Sequence, residues 1–145
     1  MNEAFNECLK NRKIILFPRA KGLVKKELAT AKYDLDEAKD RLKNTRYKYA
    51  TINAYYSIFH AARALLYSRG YRERSHHCLS VALEALFVNT GQISDRYIRI
   101  FRNCMSLREN ADYSCSFSDE SAFLSISNAQ EFLDMAMTLL SLYYS

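Results

Sequence analysis

The chain has 145 residues, enough for one domain with a single substantial core. Three glycines, one proline and an abundance of Ala, Leu, Lys, Arg and Glu predict an all-helical protein. The formal charge of +5 permits a nucleic-acid or acidic-protein partner without requiring one, and the longest apolar run, Ile14 to Phe17, is far too short to span a bilayer.

Residues 1–20 read as an N-terminal arm or short helix ending at Phe17-Pro18, because proline biases its predecessor away from helix. Residues 21–145 read as one helical domain. Val24, Leu28, Ala31, Leu35, Ala38 and Leu42 alternate steps of four and three, which places them on one stripe of a long helix. Leu and Ala alternate along that stripe, as close packing against a neighbouring helix requires. After Asn44-Thr45, a second helix is predicted from about Lys48 to Ser68. It is apolar on most sides and therefore central, with one polar or amphipathic stripe of Asn53, Tyr56, Ser57, His60, Arg63 and Tyr67.

Arg69-Gly70 supplies the C-cap of that helix. Ser75 caps a third helix carrying Leu79, Ala82, Leu83, Leu86 and Phe87, and Asn89-Thr90-Gly91 breaks it. Ser94 caps a fourth, with Asp95 at its positive end, and Ser118 with Asp119 and Glu120 starts the last. There Ala122, Ile126, Ala129, Leu133, Ala136, Leu140 and Tyr143 repeat the four-three spacing. About five helices with short connections predict an antiparallel up-and-down bundle.

The segment Met1 to Lys10 mixes acidic and polar residues and lacks a secretory apolar core, so a cytoplasmic location is expected. Cys8, Cys78, Cys104 and Cys115 show no CxxC pair and no close histidine spacing. They could form two disulfides in an oxidising compartment, but nothing else suggests secretion, and scattered core or half-exposed thiols are the better reading. Eleven tyrosines and no tryptophan place several tyrosines at surfaces or interfaces, since one core cannot satisfy so many buried hydroxyls.

Chemistry concentrates around Arg108, on the face of the fourth helix that also carries Tyr97, Phe101 and Cys104. Its stem is expected to be half-buried. Asp112 lies four residues on, so the two read either as an ordinary pair at a helix end or as a tethered guanidinium suited to phosphate. Arg96, Arg99 and Arg102 form a row on another face, a solvated basic surface or an RNA-backbone contact. His60 on the polar stripe reads as a hydrogen-bonded structural residue or an acid–base group. His76 and His77 follow the Ser75 cap and suit packing and capping. No phosphate loop, nucleophile elbow, HExxH motif or metal-ligand set occurs.

The block AYYSIFHAARALLYSRGYRERSHHCL (Ala54 to Leu79), followed after a gap by LRENADYS, resembles the HEPN family of small bacterial and archaeal helical domains. The resemblance extends through the long first helix and the last one, with AQEFLDMA. It implies an up-and-down bundle that dimerises and is often encoded beside a minimal nucleotidyltransferase, the pair behaving as a toxin–antitoxin module. Active members are metal-independent ribonucleases, whose motif is an arginine, four to six intervening residues and a histidine. The 2′-hydroxyl attacks the adjacent phosphate, which requires a base, an acid and a cation for the developing charge.

This sequence departs from the motif. Arg108 is followed by Glu109, Asn110, Ala111, Asp112 and Tyr113, and no histidine occurs after His77. Arg102-Asn103 resembles the arginine–polar start of the motif but also lacks the histidine. Tyr113 occupies a histidine-compatible position, yet a phenol with an ordinary pKa near ~10 is a poor base at neutral pH. Asp112 would need a strongly raised pKa, which Arg108 opposes. His60, on another helix, is the remaining substitute.

The resemblance further implies Tyr113 as the candidate for AMP modification by a partner transferase, at a shorter spacing than that reaction's usual pattern. The catalytic candidates are thus Arg108, Asp112, Tyr113 and His60, and the RNA- or nucleotide-binding candidates are Arg108, Arg102 and Arg63. No metal or cofactor is expected. The expected function is the HEPN component of a two-protein nucleotidyltransferase module, a homodimer binding its partner and RNA or nucleotide around Arg108. An active ribonuclease with a non-standard acid or base, and a non-catalytic dimerisation or regulatory module, are the alternatives.

Overall fold

A computed structural model describes residues 2–113 and 117–144, the side chains of 142–144 excepted. The arm begins with α1 (Glu3–Lys10), whose N-cap Asn2 accepts from the Phe5 amide at 2.9 Å, and continues into a short strand, β1 (Ile14–Leu16). A 3-10 turn over Pro18–Leu23 leads into α2 (Val24–Lys43). The chain then forms α3 (Tyr47–Ser68), a second strand β2 (Tyr71–Glu73), α4 (His76–Leu83), α5 (Arg96–Tyr113) and α6 (Asp119–Tyr144). A π-helical turn, Glu84–Val88, extends α4. The expected helices are all present. Among the described residues, no helix is long and apolar enough to cross a membrane.

The helix pairing follows the predicted stripes. Val24, Ala31, Leu35 and Ala38 of α2 are buried, as are Ala122, Ile126, Ala129, Leu133, Ala136 and Leu140 of α6. α3 is central, with thirteen buried residues, and packs against α2, α4, α5 and α6. Contacts from Asn53 to Asp34, Ser57 to Ala31 and His60 to Glu27 run in opposite chain directions, which makes α2 and α3 antiparallel. The caps also form as expected: Ser75 Oγ accepts from Cys78 N at 2.9 Å, and Ser118 Oγ from Ser121 N at 3.0 Å.

Two features correct the sequence reading. β1 and β2 form an antiparallel ladder, pairing Ile14 with Glu73, Ile15 with Arg72 and Leu16 with Tyr71. Gly70 turns the chain into it with φ of +78°, and its carbonyl accepts from Phe17 N at 2.7 Å. Strands of three residues show no readable alternation, and their pairing spans two intervening helices. The cysteine expectation fails for one pair: Cys8 and Cys78 form a disulfide, with Cα atoms 5.9 Å apart. The arm crosses the start of α4, which brings the two together despite a sequence separation of 70. Cys104 is a buried free thiol, its pKa pushed up to about 12 by burial against the hydrogen bonds of Asn128 and Ser125. Cys115 lies outside the described residues.

Candidate functional site

The polar stripe of α3 faces its neighbouring elements across a seam. Ser57 Oγ donates to the Ala31 carbonyl at 2.7 Å, where α2 approaches closely through its small residues. His60 Nδ1 meets Glu27 Oε2 at 2.6 Å, and its Nε2 lies 3.8 Å from Asp34 Oδ2. Burial raises the Asp34 pKa, against the pull of His60. One turn further on, Arg63 donates Nε and Nη2 to the two carboxylate oxygens of Glu73 at 3.1 and 2.8 Å. Its Nη1 stands 3.7 Å from Glu27. The arm's ladder sets this pair, because Glu73 is the last residue of β2 and pairs with buried Ile14.

Arg108 sits beside this seam. Phe101 and Cys104 anchor its face of α5 in the core, and the guanidinium emerges over aromatic rings of α3. Its Cζ lies 5.0 Å from the Tyr55 ring centre and 6.0 Å from that of Tyr56. Asp112 stands 3.5 Å away, and the Arg108 side chain is 12% exposed. Its Nε is buried without a hydrogen-bond partner among the described residues. The planar fork of a guanidinium this desolvated matches two oxygens of a phosphate.

The third member is His76, which the Ser75 cap places at the first turn of α4. Its Nδ1 lies 2.6 Å from the hydroxyl of fully buried Tyr55, with the two ring centres 5.8 Å apart. The Phe59 ring also contacts the imidazole, centres 4.5 Å apart, and carries Arg63 at 4.7 Å. His76 thus contacts two neighbouring aromatic rings, each bearing an arginine. Burial, and then the Arg108 charge, lower the His76 pKa. Burial raises that of Tyr55 far above the phenolic range, against the opposing charge of Arg108. At neutral pH the pair is therefore a phenol and a neutral imidazole.

The direction of their hydrogen bond follows from the inventory of donors. Tyr55 keeps its proton, and its other polar neighbour, Arg108, only donates. The Tyr55 O–H therefore donates to His76 Nδ1, and the neutral ring carries its proton on Nε2. Nδ1 faces the buried phenol, so Nε2 lies on the side of the half-buried imidazole away from that hydroxyl.

Of the residues singled out from the sequence, the fold joins Arg108 and Asp112 directly. Tyr113 ends α5 and is 78% exposed. His60 and Arg63 are engaged by carboxylates of the seam, and Arg102, at the surface, stands 3.9 Å from Glu84. Sequence reasoning gave His76 only a packing and capping role, and missed Tyr55 as its partner and Glu73 as the partner of Arg63. The one available signal was the family-like SHH triplet, since no spacing rule links Tyr55 to His76. Among the described residues, no cluster of His, Cys, Asp and Glu is arranged to hold a metal ion.

Fold and site together define an all-α bundle in which Arg108, Tyr55 and His76 meet between α3, α4 and α5. Comparison with known proteins identifies the class: the HEPN domain family model matches residues 24–142, and the chain belongs to that family. It is 35% identical over 105 residues to a putative toxin of Methanocaldococcus jannaschii, covering 72% of this chain and 78% of the relative. It is also 31% identical over 102 residues to a UPF0332 protein of Thermotoga maritima, covering 69% and 77%. A UPF0332 protein of Pyrococcus horikoshii is 32% identical over 83 residues, covering 57% and 58%. The family match begins after the arm, so α1, β1 and Cys8 are additions to the matched bundle.

Proposed function

We propose that this chain is the HEPN component of a two-protein, toxin–antitoxin-like nucleotidyltransferase module, binding RNA or nucleotide through the Arg108 cleft. The observation that carries the reading is the state of Arg108: held over Tyr55 and Tyr56, nearly enclosed, and with Nε lacking a partner among the described residues. Such a cation is costly to bury for stability alone and is matched by a bidentate phosphate. Similarity to a protein named as a putative toxin supports the module. In this reading the protein is a cytoplasmic homodimer. Arg102 and Arg63 are secondary contacts, and exposed Tyr113 is the residue open to modification by the partner.

The test combines co-purification with a nucleotidyltransferase encoded beside the gene and titration of a fluorescent single-stranded oligoribonucleotide. Arg108→Gln should weaken oligonucleotide binding about tenfold, the loss of one charge-assisted contact worth roughly 1.4 kcal/mol. Wild-type binding by Arg108→Gln, together with no transferase complex, would sink the proposal. Metal-free RNA cleavage abolished by Arg108→Ala would replace it with the ribonuclease reading.

A further inference from the structure

We propose that His76 and Arg108 together grip one phosphate group, Arg108 supplying the charge and His76 a neutral Nε2–H donor held in that tautomer by the Tyr55 hydroxyl. This rests on the reading of the Arg108 cleft as a site for RNA or nucleotide. It adds a second ligand-contacting residue, one that the arginine-containing stretch itself does not supply.

Three observations converge on it. Tyr55 touches both groups, with its ring 5.0 Å from the Arg108 Cζ and its hydroxyl 2.6 Å from His76 Nδ1. The donor inventory around the buried phenol sends its proton to Nδ1, so Nε2 must carry the imidazole proton. The ring is held by the Tyr55 hydroxyl on Nδ1 and by contact with the Phe59 ring, which fixes the direction of Nε2 before any ligand arrives.

The charged groups around the imidazole are Arg108, Arg63, Glu73 and Glu109. Arg63 is taken up by Glu73, leaving Arg108, 3.5 Å from Asp112, as the cation beside the imidazole without a bidentate partner among the described residues. A neutral donor beside a cation suits a phosphate oxygen. The same arrangement makes a poor base, because Nδ1 is occupied and Nε2 is already protonated. The site is built to hold a phosphate rather than to take a proton from a hydroxyl.

Phosphate of this kind is presented by an RNA chain or by a free nucleotide, and the experiment separates them. In the full-length protein, long-range 1H–15N spectra should show His76 as the neutral Nε2–H tautomer at pH 7. An Nδ1–H tautomer or an imidazolium at that pH would overturn the proposal without recourse to any variant. A single-stranded oligoribonucleotide and AMP are then titrated separately into wild type, Arg108→Gln and His76→Ala, each checked for helicity and melting.

His76→Ala should weaken whichever probe binds by about tenfold, and the bound probe should shift the Nε2–H resonance. Binding of the oligonucleotide alone assigns the phosphodiester as ligand, and binding of AMP assigns the monoester. Loss in Arg108→Gln with none in His76→Ala leaves the Arg108 cleft standing and removes His76 from it. Loss in neither variant removes both.

Discussion

Glu73 closes on Arg63 with both carboxylate oxygens, at 3.1 and 2.8 Å, from a strand that the N-terminal arm holds in place. The Glu73 side chain is only 4% exposed, so losing its partner would strand a carboxylate inside the fold. Arg63→Ala should lower the unfolding free energy by about 3 kcal/mol, near the lower end of the range for breaking a buried pair. Glu73→Gln retains an acceptor and should cost less. Chemical denaturation of the two variants checks the order, and an Arg63→Ala protein as stable as wild type would contradict it.

The Cys8–Cys78 disulfide ties the arm to α4 and closes a loop with a sequence separation of 70. In the chain-entropy view, closing so long a loop removes about 4 kcal/mol of freedom from the unfolded state. Cys8→Ser should therefore melt at a markedly lower temperature than wild type under oxidising conditions. In excess reductant the difference should shrink, because the wild type then loses the same cross-link. An equal gap in both conditions would show that the serine itself, not the lost bond, is responsible.

His76 gives the protein a defined response to acid. Its folded pKa lies below the ordinary histidine value because of burial and the Arg108 charge. Between the folded value and about 6.5, the unfolded chain binds more protons, so stability falls as pH falls through this interval. Above the ordinary value the contribution is fully present. Melting curves from pH 7.5 to 5 should show a decline that is shallower in His76→Gln. Parallel curves for the two proteins would exclude His76 as its source.

Small residues set the approach of α2 to α3. Ala31 and Ala38 are fully buried on α2, as are Ala54 and Ala61 on α3, and the Ala31 carbonyl accepts from Ser57 at 2.7 Å. A larger side chain at Ala31 would force the helices apart and break that bond. Ala31→Leu should destabilise by about 2–3 kcal/mol, typical of overpacking in a dense core. Retention of wild-type stability on thermal denaturation would mean that the helix contact is looser than the fold indicates.

Much of the architecture was legible because helical burial repeats locally. The four-three spacing from Val24 to Leu42 and from Ala122 to Leu140 identifies faces that are largely buried in the structure. Ser75, Gly70 and Ser118 mark ends that carry the expected bonds or dihedral. The half-buried stem of Arg108 was also readable, because Phe101 and Cys104 share its face. Tyr55 and His76 were not linked in the same way, since an imidazole and a phenol from two helices meet only after both helices pack on a common core.

The sequence by itself determined the helices, their apolar faces, the family and the position of the arginine, all consequences of short-range periodicity and local capping. Only the tertiary structure decided that the arm joins the bundle through a ladder and a disulfide, and that Glu73 partners Arg63. It also decided that Arg108 shares Tyr55 with His76. These relationships depend on distances between segments far apart along the chain. Closing the chain around α3 creates those distances, and no repeat or motif in the sequence encodes them.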